Sequence, residues 1–395
     1  MSVTQDVIIP GPSGERVKAK IKTDVSISAI LPPINTTWGQ LHGVNWKSSV
    51  LSWKEIAANP PNNAISTNDI NKFMTICANN NWNLIRLVLY QETYEGHKAA
   101  FFNEIKAIIE AADQRGIAVI IDNHQWHIGD GAYTDSLGFP QKYLSGYNIT
   151  GEPCSYENNC NNVYTPVSPE AVKFWQDLVR NSLKNFPDVW SDIAKYFDAI
   201  IDFCEPYENV IGYEILNEPQ TTGLTDYGEM GTMNTFLAQR MRLKTSRDIL
   251  YCRDNGIGPH TTQHPNGWGG NNGARDQLIP AVSGVIYDNH SYSLRRMKNS
   301  YVAETNEAIN NRTDIKVLVG EWAAQLQFDP TNSLTLDNTK FVLQLCKDNG
   351  YAICWWAIGQ FALAGQRNWK CLTFADGSLR PEGLIYKQAI SEVYV

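Results

Sequence analysis

From His42 onward, short apolar runs alternate with longer amphipathic stretches, a strand–helix beat repeated about eight times. The runs predict strands over 42–46, 83–90, 117–124, 210–218, 260–266, 284–292, 316–322 and 351–358. Most are almost continuously apolar rather than alternating, as parallel strands covered on both faces should be. The run 260–266 fits least well, because His260 and Pro265 interrupt it. Between runs, Phe101, Ile105, Ile108, Ile109 and Ala112 share one face at helical spacing, which predicts a helix over 99–115 stopped by Gly116. Segments 67–80, 335–348 and 381–394 read the same way. Eight β-then-α units in one uninterrupted stretch predict an α/β fold, a single (β/α)8 TIM barrel. An open doubly wound sheet is the alternative, but no glycine-rich phosphate loop follows the first strand.

Two segments stand outside this beat. Residues 1–40 are too short to fold alone, and Val17-Lys18-Ala19-Lys20-Ile21-Lys22 alternates like a half-exposed strand. A short N-terminal β extension capping the bottom of the barrel is therefore expected, with residues 41–395 as the catalytic domain. The connection over 125–167 is long for a loop after the third strand, and long loops inside compact domains tend to be functional. It should wall one side of a cleft. Cys154 and Cys160 bracket a polar stretch within it, and a local disulfide is expected there, which favours an oxidising compartment.

The formal net charge is −8 and no dense Lys/Arg run occurs, so nucleic acid and anionic membranes are excluded as partners. No window approaches 18 consecutive apolar residues. The start Met-Ser-Val-Thr-Gln-Asp has neither the basic nor the apolar part of a leader. The twelve tryptophans and eighteen tyrosines suit a neutral polymer, because an aromatic face packs well against the C–H face of a sugar. A polysaccharide or oligosaccharide is thus a compatible partner; a monomer outside the cell, where Cys154 and Cys160 would be oxidised, is the expectation, without a cofactor.

The strongest polar residues sit at or near C-terminal strand ends: Arg86, Asp122, His124, Asn217, Glu218, His290, Tyr292, Glu321 and Trp356. A barrel enzyme gathers such residues at one mouth. Tyr213-Glu214-Ile215-Leu216-Asn217-Glu218-Pro219 and Lys316-Val317-Leu318-Val319-Gly320-Glu321-Trp322 each end a strand in glutamate. Paired strand-end carboxylates point to glycosidic bond cleavage, one protonating the leaving oxygen while the other attacks or activates water. Glu214 has the parity of Glu218 but reads as a structural ion-pair member, and Asp122 as a residue that orients Arg86 or a histidine. His124 with His127, and His260 with His264, have metal-ligand spacings, yet strand positions three apart face opposite sides and prolines flank the second pair. A metal site is not expected.

Leu-Asn-Glu-Pro at 216–219, Asp-Asn-His at 122–124, His-Ser-Tyr at 290–292 and Gly-Glu-Trp at 320–322 occur in an order that resembles glycoside hydrolase family 5, over residues 42 to about 390. The resemblance implies Glu218 as acid/base, Glu321 as nucleophile and Asn217 as partner of the substrate 2-hydroxyl. It places Arg86 and Tyr292 on the nucleophile, His124 and His290 along the reactive subsite, and Trp356 as its floor. Trp268 and Trp322 are further subsite aromatics to test. It implies a retaining endo-β-1,4-glucanase, with a β-mannanase, an exo-acting glucosidase or a β-1,3-glucanase as alternatives on the same barrel. A carbohydrate-binding barrel without activity and a metal-dependent hydrolase are the readings from other classes. Gln125 after His124 departs from the family pattern.

Overall fold

The computed structural model describes residues 2–10, 16–24, 37–47, 67–125, 139–148, 169–219, 224, 227–252, 276–323, 334–358, 371–374 and 376–394. The chain divides into two compact units, Met1–Asn35 and Thr36–Val395. In the first, β1 (Ser2–Pro10) pairs antiparallel with β2 (Arg16–Asp24), with Ser2 opposite Asp24 and Pro10 opposite Arg16.

The second unit is a closed, all-parallel barrel of eight strands: β3 (His42–Lys47), β4 (Leu84–Leu89), β5 (Ala118–Asn123), β6 (Val210–Glu214), β7 (Asp248–Cys252), β8 (Val285–Asp288), β9 (Lys316–Trp322) and β10 (Ala352–Trp355). Strands pair in chain order and β10 returns to β3. This is the expected (β/α)8 barrel with one correction. Its fifth strand is Asp248–Cys252, not 260–266, a segment that lies outside the described residues. The run Ile249-Leu250-Tyr251-Cys252 is short and follows closely on the helix Gly228–Arg242, so its apolar signal merges with that of the helix.

Helices fill the connections, among them Thr67–Asn79, Gln91–Asp113, Val189–Cys204, Leu336–Asp348 and Pro381–Val393. The helix over Gln91–Asp113 starts well before the predicted 99, and His97 breaks its regular backbone. Of the long connection after β5, Phe139 is buried and Gln141–Leu144 forms one helical turn. Cys154 and Cys160 lie outside the described residues.

Strand parity sorts the side chains into two environments. Val44, Trp46, Ile85, Leu87, Val119, Ile121, Tyr213, Tyr251, Val317 and Val319 face outward and join the helices in one apolar core. The alternate set fills the barrel. Near the N-terminal ends it is small or apolar, with Ala118, Ile120, Leu250, Ile286 and Leu318 fully buried. Toward the C-terminal ends it turns polar: Asn45, Arg86, Asp122, Glu214 and Asp288 are all 0% exposed.

Two glycines make this closure possible. A Cβ at Gly43 would overlap the Leu84 carbonyl across the β3–β4 seam, and one at Gly320 would overlap the Asp288 carboxylate. At the opposite end of β3, His42 is buried and stacks on Tyr394, with ring centroids 4.1 Å apart. Burial lowers its pKa from 6.5 to about 4, the backbone at Asn81 and Gln40 offsetting part of the effect.

Candidate active site

Arg86 organises the mouth. Its position in the register between Asn45 on β3 and Ile120 on β5 aims the guanidinium across the barrel. Nη1 donates to Asn45 Oδ1 at 2.9 Å, Nη2 to Asn217 Oδ1 at 2.7 Å and Nε to Glu214 Oε2 at 2.9 Å. Nη1 also lies 3.0 Å from Asp122 Oδ2 and 3.3 Å from Glu321 Oε1, and Nε lies 3.4 Å from Asp288 Oδ2. Asn45 completes the brace by donating Nδ2 to the Gly320 carbonyl at 2.7 Å.

One guanidinium thus faces four carboxylates in a water-poor layer, and not all of them can hold full charge. Burial pushes Asp122 up to about 7, with Arg86 opposing and Asp288 adding to the rise. Burial likewise raises Glu214 well above the carboxylate range, against the pull of Arg86. Both side chains serve as structure, as their sequence positions predicted. Glu214 pairs with Arg86, and Asp122 holds both Arg86 and His124, whose Nδ1 is 2.8 Å from Asp122 Oδ2.

The two glutamates face each other above this layer. Glu321, on β9, takes Arg86 Nη1 on one oxygen and the Tyr292 hydroxyl on the other. Glu218 lies four residues past the end of β6, with a left-handed φ of 39°. A residue other than glycine is strained there, and such strain is held where the surroundings over-determine it. Glu218 Oε1 is 2.7 Å from His290 Nδ1. His290 Nε2 is 3.2 Å from Asp288 Oδ2, and His290 Nδ1 is 3.8 Å from Glu321 Oε2. Polar atoms of Glu218, His290 and Glu321 all fall within 4.8 Å of one another.

Arg86, His124, Asn217, Glu218, His290, Tyr292 and Glu321 are therefore brought together at one end of the barrel. Trp356 joins them, its ring stacked on His124 at 5.4 Å between centroids. Trp322 does not. It is buried edge-on against Trp355 in the core behind the strands, because β9 shifts register against β10 between Val319 and Trp322, which resets the alternation and turns Trp322 outward with Val317 and Val319. Trp268, His127, His260 and His264 lie outside the described residues. Glu214, Cys252, Asp288 and His290 also bring donor atoms within 4.8 Å. Arg86 already lies against the two carboxylates of that set, and burial keeps the Cys252 thiol protonated, so its chemistry is that of an ion-pair network rather than a cation site.

Two contributors were not picked out from sequence. Gln125 donates its side-chain amide to the carbonyls of Asn217 and Glu218, the latter at 2.9 Å. Asn217 returns a bond to the Gln125 carbonyl at 3.0 Å, so the backbone at the strained Glu218 is clamped on both sides. Asp288 is the other, and its signal was visible: Asp-Asn-His at 288–290 repeats the Asp-Asn-His at 122–124.

A closed parallel barrel with paired glutamates at its C-terminal mouth, one bound by arginine and tyrosine, defines the class of barrel glycosidases. The family model described as cellulase (glycosyl hydrolase family 5) matches residues 42–362, and the chain belongs to that family. A search of curated protein sequences found no match. Among solved structures, endo-glycoceramidase II from Rhodococcus sp. in its lactosyl-enzyme form is 16% identical with a TM-score of 0.64, covering 88% of this chain and 78% of that one. A β-glucanase from Saccharophagus degradans in complex with cellotetraose is 14% identical with a TM-score of 0.55, covering 100% and 94% respectively. At such identities the likeness concerns the fold. Family membership makes a carbohydrate the substrate. Among the described residues, no helix is long and apolar enough to cross a membrane.

Proposed function

We propose that the protein is a retaining endo-β-1,4-glucanase, with Glu321 as nucleophile and Glu218 as acid/base. The observation that carries this reading is the close approach of the two carboxyl groups, one oxygen of Glu218 lying within 4.8 Å of one oxygen of Glu321. It suits a double displacement, in which the carboxyl groups stand roughly 5–5.5 Å apart, better than inversion, which needs roughly 6.5–9.5 Å to admit a water. The unequal surroundings support the division of roles. Two donors, Arg86 and the Tyr292 hydroxyl, address Glu321 and suit a carboxylate that attacks as an anion. Glu218 faces an imidazole, a partner with which a proton can be exchanged.

In the first step Glu321 attacks the anomeric carbon while Glu218 protonates the departing oxygen. In the second, Glu218 takes a proton from water, which displaces Glu321. Asn217, held by Arg86 and Gln125, is placed to bind the sugar 2-hydroxyl, and Trp356 on His124 offers an apolar floor. The match to a model described as cellulase supports β-1,4-glucan as substrate. A monomer acting outside the cell completes the proposal.

Reducing-end release from soluble β-1,4-glucan, from β-mannan and from a lipid-linked lactoside, with Glu321→Gln as blank, tests this reading. Cleavage of glucan with a rapid fall in viscosity is the expected result. Cleavage of mannan or the lactoside alone would reassign the substrate. Glu321→Gln activity within about tenfold of wild type would overturn the nucleophile assignment.

A further inference from the structure

His290 lies between the carboxylates of Glu218, past the end of β6, and Asp288, at the end of β8. Glu218 Oε1 is 2.7 Å from its Nδ1, and Asp288 Oδ2 is 3.2 Å from its Nε2. Asp288 itself is fixed: its Oδ1 accepts the Gly320 N–H at 2.7 Å, and Arg86 Nε stands 3.4 Å from Oδ2. The absence of a Cβ at Gly320 is what admits this carboxylate.

We propose that Asp288 is a positioning residue for the acid step, keeping one proton on the Glu218–His290 pair until the leaving oxygen takes it. The proposal rests on the retaining mechanism above. An anion at Nε2 claims the hydrogen of a neutral imidazole for that nitrogen, which leaves the Nδ1 lone pair to accept from a protonated Glu218. If the ring is cationic instead, Nδ1–H donates to the Glu218 carboxylate. Both arrangements contain the same single proton, and they differ only in the atom that carries it. Asp288 favours that proton in either form, and its loss makes the pair a weaker proton holder.

The other groups around the ring agree. Glu321 lies 3.8 Å from Nδ1, Cys252 Sγ lies 3.8 Å from Nε2, and Arg296 donates to the His290 carbonyl at 2.8 Å. Glu214 belongs to the same cluster, and Tyr292 reaches the ring's neighbour Glu321. Burial opposes a charged imidazole, yet His290 is driven well above its ordinary value by Cys252, Glu321 and Asp288. The Cys252 thiol is itself kept protonated by burial, so the two carboxylates are the effective anions.

The step balances without a further reactant. A Glu321 oxygen bonds to the anomeric carbon, the bond to the leaving oxygen breaks with its electron pair, and the shared proton passes to that oxygen. As Glu321 becomes an ester its charge leaves the vicinity of His290, which weakens the ring's hold on the proton at the moment of transfer. Asp288 is unchanged throughout.

The test compares wild type with Asp288→Asn on two substrates, a β-1,4-linked glucose oligosaccharide that needs the acid and 2,4-dinitrophenyl β-cellobioside, which does not. The alkaline limb of kcat/KM on the oligosaccharide should move down by about one pH unit. The oligosaccharide should also slow at least about tenfold more than the aryl glycoside. Equal slowing of both substrates with an unmoved limb would overturn the proposal and leave Asp288 as a brace for Arg86 and Gly320. Should the variant not fold, wild-type enzyme carrying 15N-histidine answers the same question, with the His290 signals assigned by their loss in His290→Gln. A protonated Nε2 through the neutral range is expected, and an unprotonated one refutes the proposal. Failure of wild type to cleave the aryl glycoside would instead sink the glycosidase reading, and the nitrogen spectrum tests Asp288 apart from it.

Discussion

His42 offers a clean measurement of what the closed end of the barrel costs in acid. The ring is buried at the start of β3, stacked on Tyr394, and its pKa falls from 6.5 to about 4. Between those values the unfolded chain binds a proton that the native barrel refuses, so stability is lost as pH falls through this window. Each pH unit is worth about 1.4 kcal/mol, and the window from 6.5 to about 4 therefore carries about 3 kcal/mol. Replacing His42 by Phe keeps an aromatic on Tyr394 and removes the titration. The assay is urea unfolding of wild type and variant at pH 7.5 and pH 4, compared as a double difference that cancels pH-independent packing changes. The variant should gain about 3 kcal/mol on wild type between the two pH values. A double difference within about 0.5 kcal/mol of zero would refute the argument, since it would mean that His42 protonates as readily in the fold as out of it.

Two further outcomes follow from contacts above. Gln125→Ala leaves the Asn217 and Glu218 carbonyls without their amide donor, which should cost about 1–3 kcal/mol in urea unfolding and lower kcat on glucan; kcat unchanged within twofold would show that the clamp does not hold the acid glutamate. Gly320→Ala sets a methyl against the Asp288 carboxylate and should destabilise by about 1–3 kcal/mol. In an Asp288→Ala background the same change should cost clearly less, and equal costs in both backgrounds would contradict the overlap.

How far the chain could be read before its structure was known depended on whether the signal was local. Leu84-Ile85-Arg86-Leu87-Val88-Leu89 announces a buried strand with one charge, and only buried carboxylate partners make sense of an arginine there. Asp248–Cys252 was missed because a short apolar run gives little periodicity of its own beside a helix. Trp322 belongs to the core rather than the mouth because β9 shifts register between Val319 and Trp322, an irregularity that strand alternation in the sequence does not reveal. Gln125 stands out in the sequence only as a departure from the family pattern, and its role is not readable because its partners are backbone carbonyls 92 and 93 residues away.

The buried carboxylate layer has a consequence for the whole molecule that runs against the lesson of His42. Asp122, Glu214 and His290 hold protons more tightly in the barrel than in the unfolded chain. Their contribution to stability is full in acid and fades as pH rises, for Asp122 through about 7. The two ends of the barrel thus titrate with opposite sign, the mouth favouring acid and the closed end resisting it. Unfolding at neutral pH should expel protons into the medium, so its apparent heat will depend on the ionisation enthalpy of the buffer.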